Sequence, residues 1–218
     1  MSVVSVNVAR PKLITFRGKT VKTGIFKEPV EGPVMIRTLG LEGDGKADRR
    51  VHGGPDKAVY GYPFEYYELW RREMGRTDLV PGQFGENLTL MGLPDEAVHI
   101  GDVFRAGDAL LQATQPRLPC LKLGARMDDP TFPKRFMNAG RMGYYFRVLE
   151  EGVVQAKDSV ERVSLDAQGV SISEVTDLWF RDRANQERIA AALRAEGLPP
   201  GWRDGFTERL EEARIAGG

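Results

Sequence analysis

Val4, Val6 and Val8 alternate with Ser5 and Asn7 near the start of the chain, the two-residue period of a half-buried strand. Residues 11–30 are less regular. A second short strand is expected over 34–39, broken by the glycine-rich run from Gly40 to Gly45. The period then lengthens. Tyr62-Pro63 suits the first turn of a helix, Tyr67, Trp70 and Met74 fall on one face of it, and Gly75 supplies a stop. Residues 98–114 read as short strands punctuated by Gly101-Asp102 and Gly107-Asp108. Beyond them a short helix is expected over 129–136 and a loop over 138–143. A hairpin of 144–149 with 153–154, turning at Glu151-Gly152, and a last strand over 160–165 complete this part.

The pattern changes near residue 171. Ser173 can cap a helix carrying Val175, Leu178 and Trp179. Asn185 can cap a second, running through Ile189 and Leu193 to Gly197. After Pro199-Pro200-Gly201, Trp202, Phe206 and Leu210 recur at four-residue spacing on a third. The expected organisation is a β-rich body over 1–170 and a small three-helix subdomain over 171–218. No internal repeat interrupts it.

Composition narrows the function classes. Thirty-one cations balance 31 anions, which removes any general electrostatic case for nucleic acid or an anionic membrane. No run of about 18 apolar residues is present, so no membrane helix is expected. The first residues read as a strand rather than a secretory leader. A single cysteine cannot form an internal disulfide and fits a reducing cytoplasm.

That cysteine, Cys120, stands in Gln115-Pro116-Arg117-Leu118-Pro119-Cys120-Leu121-Lys122. The prolines stiffen the backbone and push their preceding residues out of the helical region, so Cys120 should sit on an extended turn at the end of a strand. Arg117 and Lys122, if folded close to it, would favour the thiolate, which attacks electrophiles and binds soft metals. A lone cysteine is also often no more than a small buried apolar residue. Two further segments offer polar groups on tight turns. One is Asp48 to Lys57, with His52 and the permissive pair Gly53-Gly54; the other is Gly82 to Asn87, with Glu86 and Asn87. Arg141, between Gly140 and Gly143, is an anion-clamp candidate. Several classes fall away: there is no Walker loop, no His-Glu-x-x-His, no Gly-x-Ser-x-Gly, and no second cysteine for a zinc or iron–sulfur site. A Cys120 pair with His52 or His99 stays open. The residues alone reach an anion pocket with a reactive cysteine.

Five segments in this order resemble the MOSC family, in its stand-alone YiiM-like branch. They are Thr23-Gly24-Ile25, Asp48 with His52-Gly53-Gly54, Gly82-Gln83-Phe84-Gly85-Glu86-Asn87, Pro116 to Cys120, and Gly140-Arg141-Met142-Gly143-Tyr144-Tyr145. The resemblance implies a mainly β, α+β fold: a MOSC-type β-barrel with short helices, followed by the three-helix tail. It implies a molybdenum–molybdopterin cofactor, with Cys120 as its metal ligand or as a carrier of sulfur to it. His52, Gly53, Asn87, Arg117 and Arg141 would line the pocket, the arginines nearest the phosphate. Where the family often has Gly-Asp near the barrel's end, this chain has Lys157-Asp158.

The implied activity is reduction of N-hydroxylated small molecules, hydroxylamino-purine base analogues and amidoximes among them. A chain with one cysteine cannot hold its own iron–sulfur cluster, so a separate reductase or ferredoxin-like partner is expected. A homodimer is left open. Two other readings follow in rank: a sulfur-transfer module working through a Cys120 persulfide, and a non-enzymatic cofactor carrier.

Overall fold

The computed structural model describes residues 1–47, 53–166 and 169–216. In chain order the elements are β1 (Ser2–Val8), β2 (Lys12–Phe16), β3 (Lys19–Thr23), β4 (Glu28–Pro29), β5 (Val34–Arg37), β6 (Gly40–Leu41), β7 (Val59–Pro63), α1 (Glu65–Met74), β8 (Leu88–Met91), β9 (Val103–Ala106) and β10 (Ala109–Pro116). They continue with α2 (Leu121–Met127), α3 (Phe132–Ala139), β11 (Tyr144–Glu150), β12 (Gly152–Val154), β13 (Val160–Ser164), α4 (Ile172–Phe180), α5 (Gln186–Ala192) and α6 (Pro200–Ala216). Eight strands form one sheet in the order β13-β9-β10-β11-β7-β8-β1-β4, in which only β7 and β8 run parallel. The sheet curls until the start of β13 meets the start of β1. Lys157 N donates to Val3 O (2.8 Å), Val3 N to Asp158 O (2.9 Å) and Val160 N to Met1 O (2.9 Å). Such closure satisfies backbone groups that an open edge would leave unpaired. The fold is mainly β of the α+β class, as expected.

Several local readings change for physical reasons. On β1 the pairing slips between Val3 and Ser5, a bulge that breaks the simple alternation. Val3 and Val6 join the core, while Ser5 and Asn7 are buried as well. No solvated face exists there, because Ser5 Oγ bonds Asn7 Oδ1 (2.8 Å) and Asn7 Nδ2 bonds Thr89 Oγ1 (3.1 Å). Tyr62 and Pro63 end β7 rather than start a helix. They pair with Thr89 and Leu90, and the helix begins at Glu65. Gly75 does close that helix, with φ 63°.

Residues 144–154 do not form a hairpin. Both edges of β11 are taken by β10 and β7, so β12 pairs with β5 in a separate small sheet. The short helix after the cysteine, α2, has no counterpart in the sequence pattern, and α3 starts three residues later than expected, after an Asp129–Thr131 turn (2.8 Å). Helix α4 is capped by Ser171, not Ser173. Ser171 Oγ accepts from Glu174 N (3.1 Å), and the Glu174 carboxylate accepts from Ser171 N (2.9 Å), a reciprocal capping box. Asn185 caps α5 as expected, accepting from Arg188 N (3.2 Å).

Two hydrophobic clusters result. The larger runs from the barrel strands (Val6, Phe104, Phe146) into the C-terminal helices (Val175, Leu178, Trp202, Phe206) without a gap. The smaller is aromatic and lies between β7, α1, α2 and α3, with Tyr60, Tyr62, Tyr67, Trp70, Phe84 and Phe136.

Candidate anion-binding site at Cys120

Strand β10 ends at Pro116, and the proline-stiffened chain beyond it carries Cys120 in extended geometry (φ −133°, ψ 162°) just before α2. This is the extended turn that the sequence implies. Arg117 comes first and turns inward. Its backbone N–H donates to Gly143 O (3.1 Å), which continues the β10–β11 ladder by one more residue. Its guanidinium lies over Tyr60 (5.5 Å) and Phe136 (5.4 Å), with Nη2 4.0 Å from Cys120 Sγ. Burial opposes the charge on Arg117, yet Tyr60, Cys120 and Tyr145 around it hold its pKa above the ordinary value. Its Nη1 is buried without a partner. An unpaired guanidinium nitrogen at 5 % residue exposure is costly unless a ligand completes it.

Arg117 and Cys120 open into a cleft of about 580 Å³, including its mouth. Four other segments wall it: Thr23 to Ile25 at the end of β3, Asp44 to Lys46, Lys57, and Gly85 with Asn87. Close approach of these walls depends on glycine. A Cβ on Gly24 would lie 2.4 Å from Gly45 O, and one on Gly85, at φ 83°, would lie 2.7 Å from Ile25 Cγ1.

Among the described residues, five cations line the cleft, Lys27, Lys46, Lys57, Arg117 and Lys122, against one carboxylate, Asp44. They are not equivalent. Lys27 is buried against Asp44 in an ion pair, and burial, offset by Asp44, lowers its pKa. Lys46 Nζ donates to the carbonyls of Leu39, Lys57 and Ala58 at 2.8–3.0 Å, so it fastens one wall to another. Lys57 ends a helical turn (Pro55–Lys57) that Arg147 holds through Asp56 (2.8 Å), while Thr114 and Gln115 bond the Asp56 carbonyl. The excess of positive charge suits an anion, and the planar fork of Arg117 matches a phosphate or a carboxylate.

Of the site residues proposed from sequence, the structure brings Cys120, Arg117 and Asn87 to this cleft. Asn87 also braces it: its Oδ1 accepts from Tyr60 N (3.2 Å), and its Nδ2 donates to Asp44 Oδ2 (3.1 Å). Gly53 lines two neighbouring depressions instead. Arg141 is not brought to the cleft. It pairs with Glu73 (2.5 Å) and stacks on Trp70 (4.4 Å), which ties the loop before β11 to α1. His52 and Asp48 lie outside the described residues. His99 contacts Asp102 (3.4 Å) and bridges to Ser171, away from Cys120, so it forms no pair with the thiol. Glu86 turns inward as the organiser of its loop, accepting from Gly82 N (2.9 Å), Phe84 N (3.1 Å) and Thr89 Oγ1 (2.8 Å). Lys27, Asp44, Lys57, Tyr60 and Tyr145 also line the cleft, and the sequence does not single them out as site residues. Only Asp44 carried a local signal, an acid set between glycines.

Among the described residues, no group of three His, Cys, Asp or Glu side chains could hold a metal ion. Among those residues, the cleft offers a metal one sulfur ligand, Cys120. An unpaired Arg117 nitrogen, a cationic lining and one thiol fit a phosphate-bearing metal cofactor.

A closed β-barrel with a cysteine at a cationic cleft and three helices sharing its core defines the class of protein. Residues 48–161 match the MOSC domain, and residues 170–213 match the YiiM-like 3-alpha helix domain. The chain belongs to the MOSC family, in its YiiM-like branch. It is 40 % identical to an uncharacterized Bacillus subtilis protein, YflK, over 96 % of this chain and 95 % of that one. The crystal structure of YiiM from Geobacillus stearothermophilus superposes with a TM-score of 0.82 at 35 % identity, covering 96 % and 98 % of the two chains. A Gibberella moniliformis protein described as a reductase is 38 % identical over 66 % of this chain, a match that spans 26 % of that longer protein.

Proposed function

We propose that this protein is an oxidoreductase that binds a molybdenum–molybdopterin cofactor in the Cys120 cleft and reduces N-hydroxylated small molecules. The observation that carries the reading is the buried, unpaired Nη1 of Arg117 beside an accessible thiol in a cation-lined cleft. Membership of the MOSC family and the likeness to a reductase support the same direction. Arg117, with Lys57 and Lys122, would hold the phosphate, and Cys120 would supply the protein's ligand to the metal. When bound, the cofactor supplies a two-electron redox centre. Asn87 braces the cleft through Tyr60 and Asp44, and the close approaches at Gly24 and Gly85 hold together the walls that would receive the cofactor. Reduction of an N–OH group breaks the N–O bond, takes up two electrons and two protons, and yields an amine and water. The electrons come from a separate donor.

The test is molybdenum and pterin content of wild type and Cys120→Ala, both produced in a host that makes the cofactor and purified without oxygen. Near-stoichiometric metal in wild type, lost in the variant, with benzamidoxime turnover in wild type alone, is the expected outcome. Metal-free wild type whose Cys120 carries the mass of one extra sulfur atom would move the assignment to sulfur transfer.

A further inference from the structure

Charge is spread unevenly along this neutral chain. Residues 1–27 hold six of the 31 cations and none of the 31 acids, leaving 25 cations against 31 acids in the rest. Lys27 is consumed by Asp44. The other five, Arg10, Lys12, Arg17, Lys19 and Lys22, are exposed, and none forms an ion pair with a described carboxylate. Four of the five lie on the β2–β3 hairpin, which pairs with no other described strand. Its outer face adds Leu13, 69 % exposed.

The hairpin tip is conformationally expensive. Phe16 pairs with Lys19 across a two-residue loop in which Arg17 (φ 52°) and Gly18 (φ 72°) both have positive φ. Asparagine or aspartate before the glycine would adopt that turn more readily. A cation occupies the strained position instead. Lysines do keep free strand edges from pairing with other chains, but that needs no charge at the tip. The base of the hairpin is also telling. Strand β3 ends at Thr23, and Thr23, Gly24 and Ile25 form one wall of the Cys120 cleft.

We propose that the β2–β3 hairpin is the docking surface for the electron-donor protein, and that this donor presents an acidic face around its flavin or iron–sulfur centre. The proposal rests on the reductase reading. Two electrons leave the reduced donor for each N–O bond broken, and they must arrive at the cleft that the hairpin borders. Opposite charge at the rim accelerates encounter and sets orientation.

The test compares cofactor-loaded wild type with Lys19→Glu/Lys22→Glu, using two donors: a reduced, acidic flavodoxin-type protein and dithionite-reduced methyl viologen. With the protein donor at low salt, kcat/KM should fall about tenfold or more, and the deficit should shrink as salt is added. Viologen-driven turnover should stay unchanged. Lys134→Glu/Arg183→Glu makes the same charge change elsewhere and should alter neither rate. An unchanged protein-donor rate, an equal loss in the control, or an equal loss with viologen would each overturn the proposal. If wild type turns over with neither donor, the reductase reading fails, and calorimetric titration of the flavodoxin still decides docking. Binding lost only in the hairpin variant supports it; absent or hairpin-independent binding overturns it. Hairpin-dependent sedimentation with phosphatidylserine vesicles, without binding to the acidic protein, would reassign the surface to a membrane.

Discussion

Beneath Cys120 the interior is aromatic, whereas under the C-terminal helices it is largely aliphatic. The aromatic cluster is polar at its edges. Tyr60 OH donates to Met142 O (2.7 Å), Trp70 Nε1 to Tyr62 OH (2.7 Å), and Tyr67 OH to the Glu86 carboxylate. Ring faces and satisfied hydroxyls let this cluster accept a guanidinium that an aliphatic core would expel. Arg117 and Arg141 both exploit it, one facing the cleft and one tying the loop before β11 to Trp70. The aliphatic cluster has a different task. It binds the C-terminal helices to the barrel floor, with Trp202 Nε1 bonded to Gln115 Oε1 (2.5 Å), two residues before Arg117. One core positions a charge, and the other holds the fold together.

The contrast can be broken most forcefully on the aliphatic side. Phe206→Ala in α6 should cost about 3–5 kcal/mol of stability in denaturant unfolding, since its side chain is fully buried among Trp179 and Trp202. Anion affinity at the cleft should be retained by the folded fraction. A cleft defect as large as the stability defect would show that the two clusters are not separable.

Asp95 lies where the two regions meet. It is buried, its Oδ2 accepts from Met142 N (2.9 Å) and Gly143 N (3.1 Å), and its backbone carbonyl accepts from Ser173 N (3.2 Å) near the start of α4. Burial, partly countered by those two amides, pushes its pKa up to about 7. The folded chain therefore keeps a proton that the unfolded chain releases, and stability should fall as pH rises from about 4 through 7. Each pKa unit corresponds to about 1.4 kcal/mol, so several kcal/mol at most are at stake over that window. Asp95→Asn keeps an acceptor for the two amides and should flatten this slope. Equal slopes in urea unfolding of the two proteins would remove Asp95 as its source.

On the aromatic side, Arg117→Met should lower affinity for a phosphate-bearing ligand by about 30–100-fold, the worth of a charge-assisted pair. Its effect on the melting temperature should be small, because a buried cation is replaced by an apolar chain of similar length. Titration with inorganic pyrophosphate and a thermal melt separate the two effects. Ser171→Ala is the mildest change. It removes the side-chain half of the α4 capping box and should cost about 1 kcal/mol without touching pyrophosphate binding.

Legibility from sequence followed the same division. The three C-terminal helices announce themselves through four-residue apolar spacing and polar caps, because a helix must bury one stripe and end on a hydrogen-bonding residue. The cap of α4 lies two residues before the one that the spacing suggests, since Ser171 and Ser173 both stand before the apolar run and only the Glu174 side chain distinguishes them. The β2–β3 hairpin was hidden because Arg17-Gly18 lacks the usual asparagine or aspartate of a tight turn. β1 misled because its polar residues are buried in a network with Thr89 rather than solvated.

By itself the sequence determined the β body, the helical tail and a stiff turn bearing Cys120, with Arg117 three residues away. These depend on periods, caps and proline geometry, all local in the chain. Only the tertiary structure decided what surrounds the thiol. Lys27, Asp44, Lys57, Asn87 and Tyr145 come from five separated segments, and their meeting depends on strand order and on glycines that let the walls approach. It also decided which arginine serves the cleft. Arg117 and Arg141 look alike in a loop, but Glu73 and Trp70 hold one away from the cleft, while the other lines it beside the cysteine.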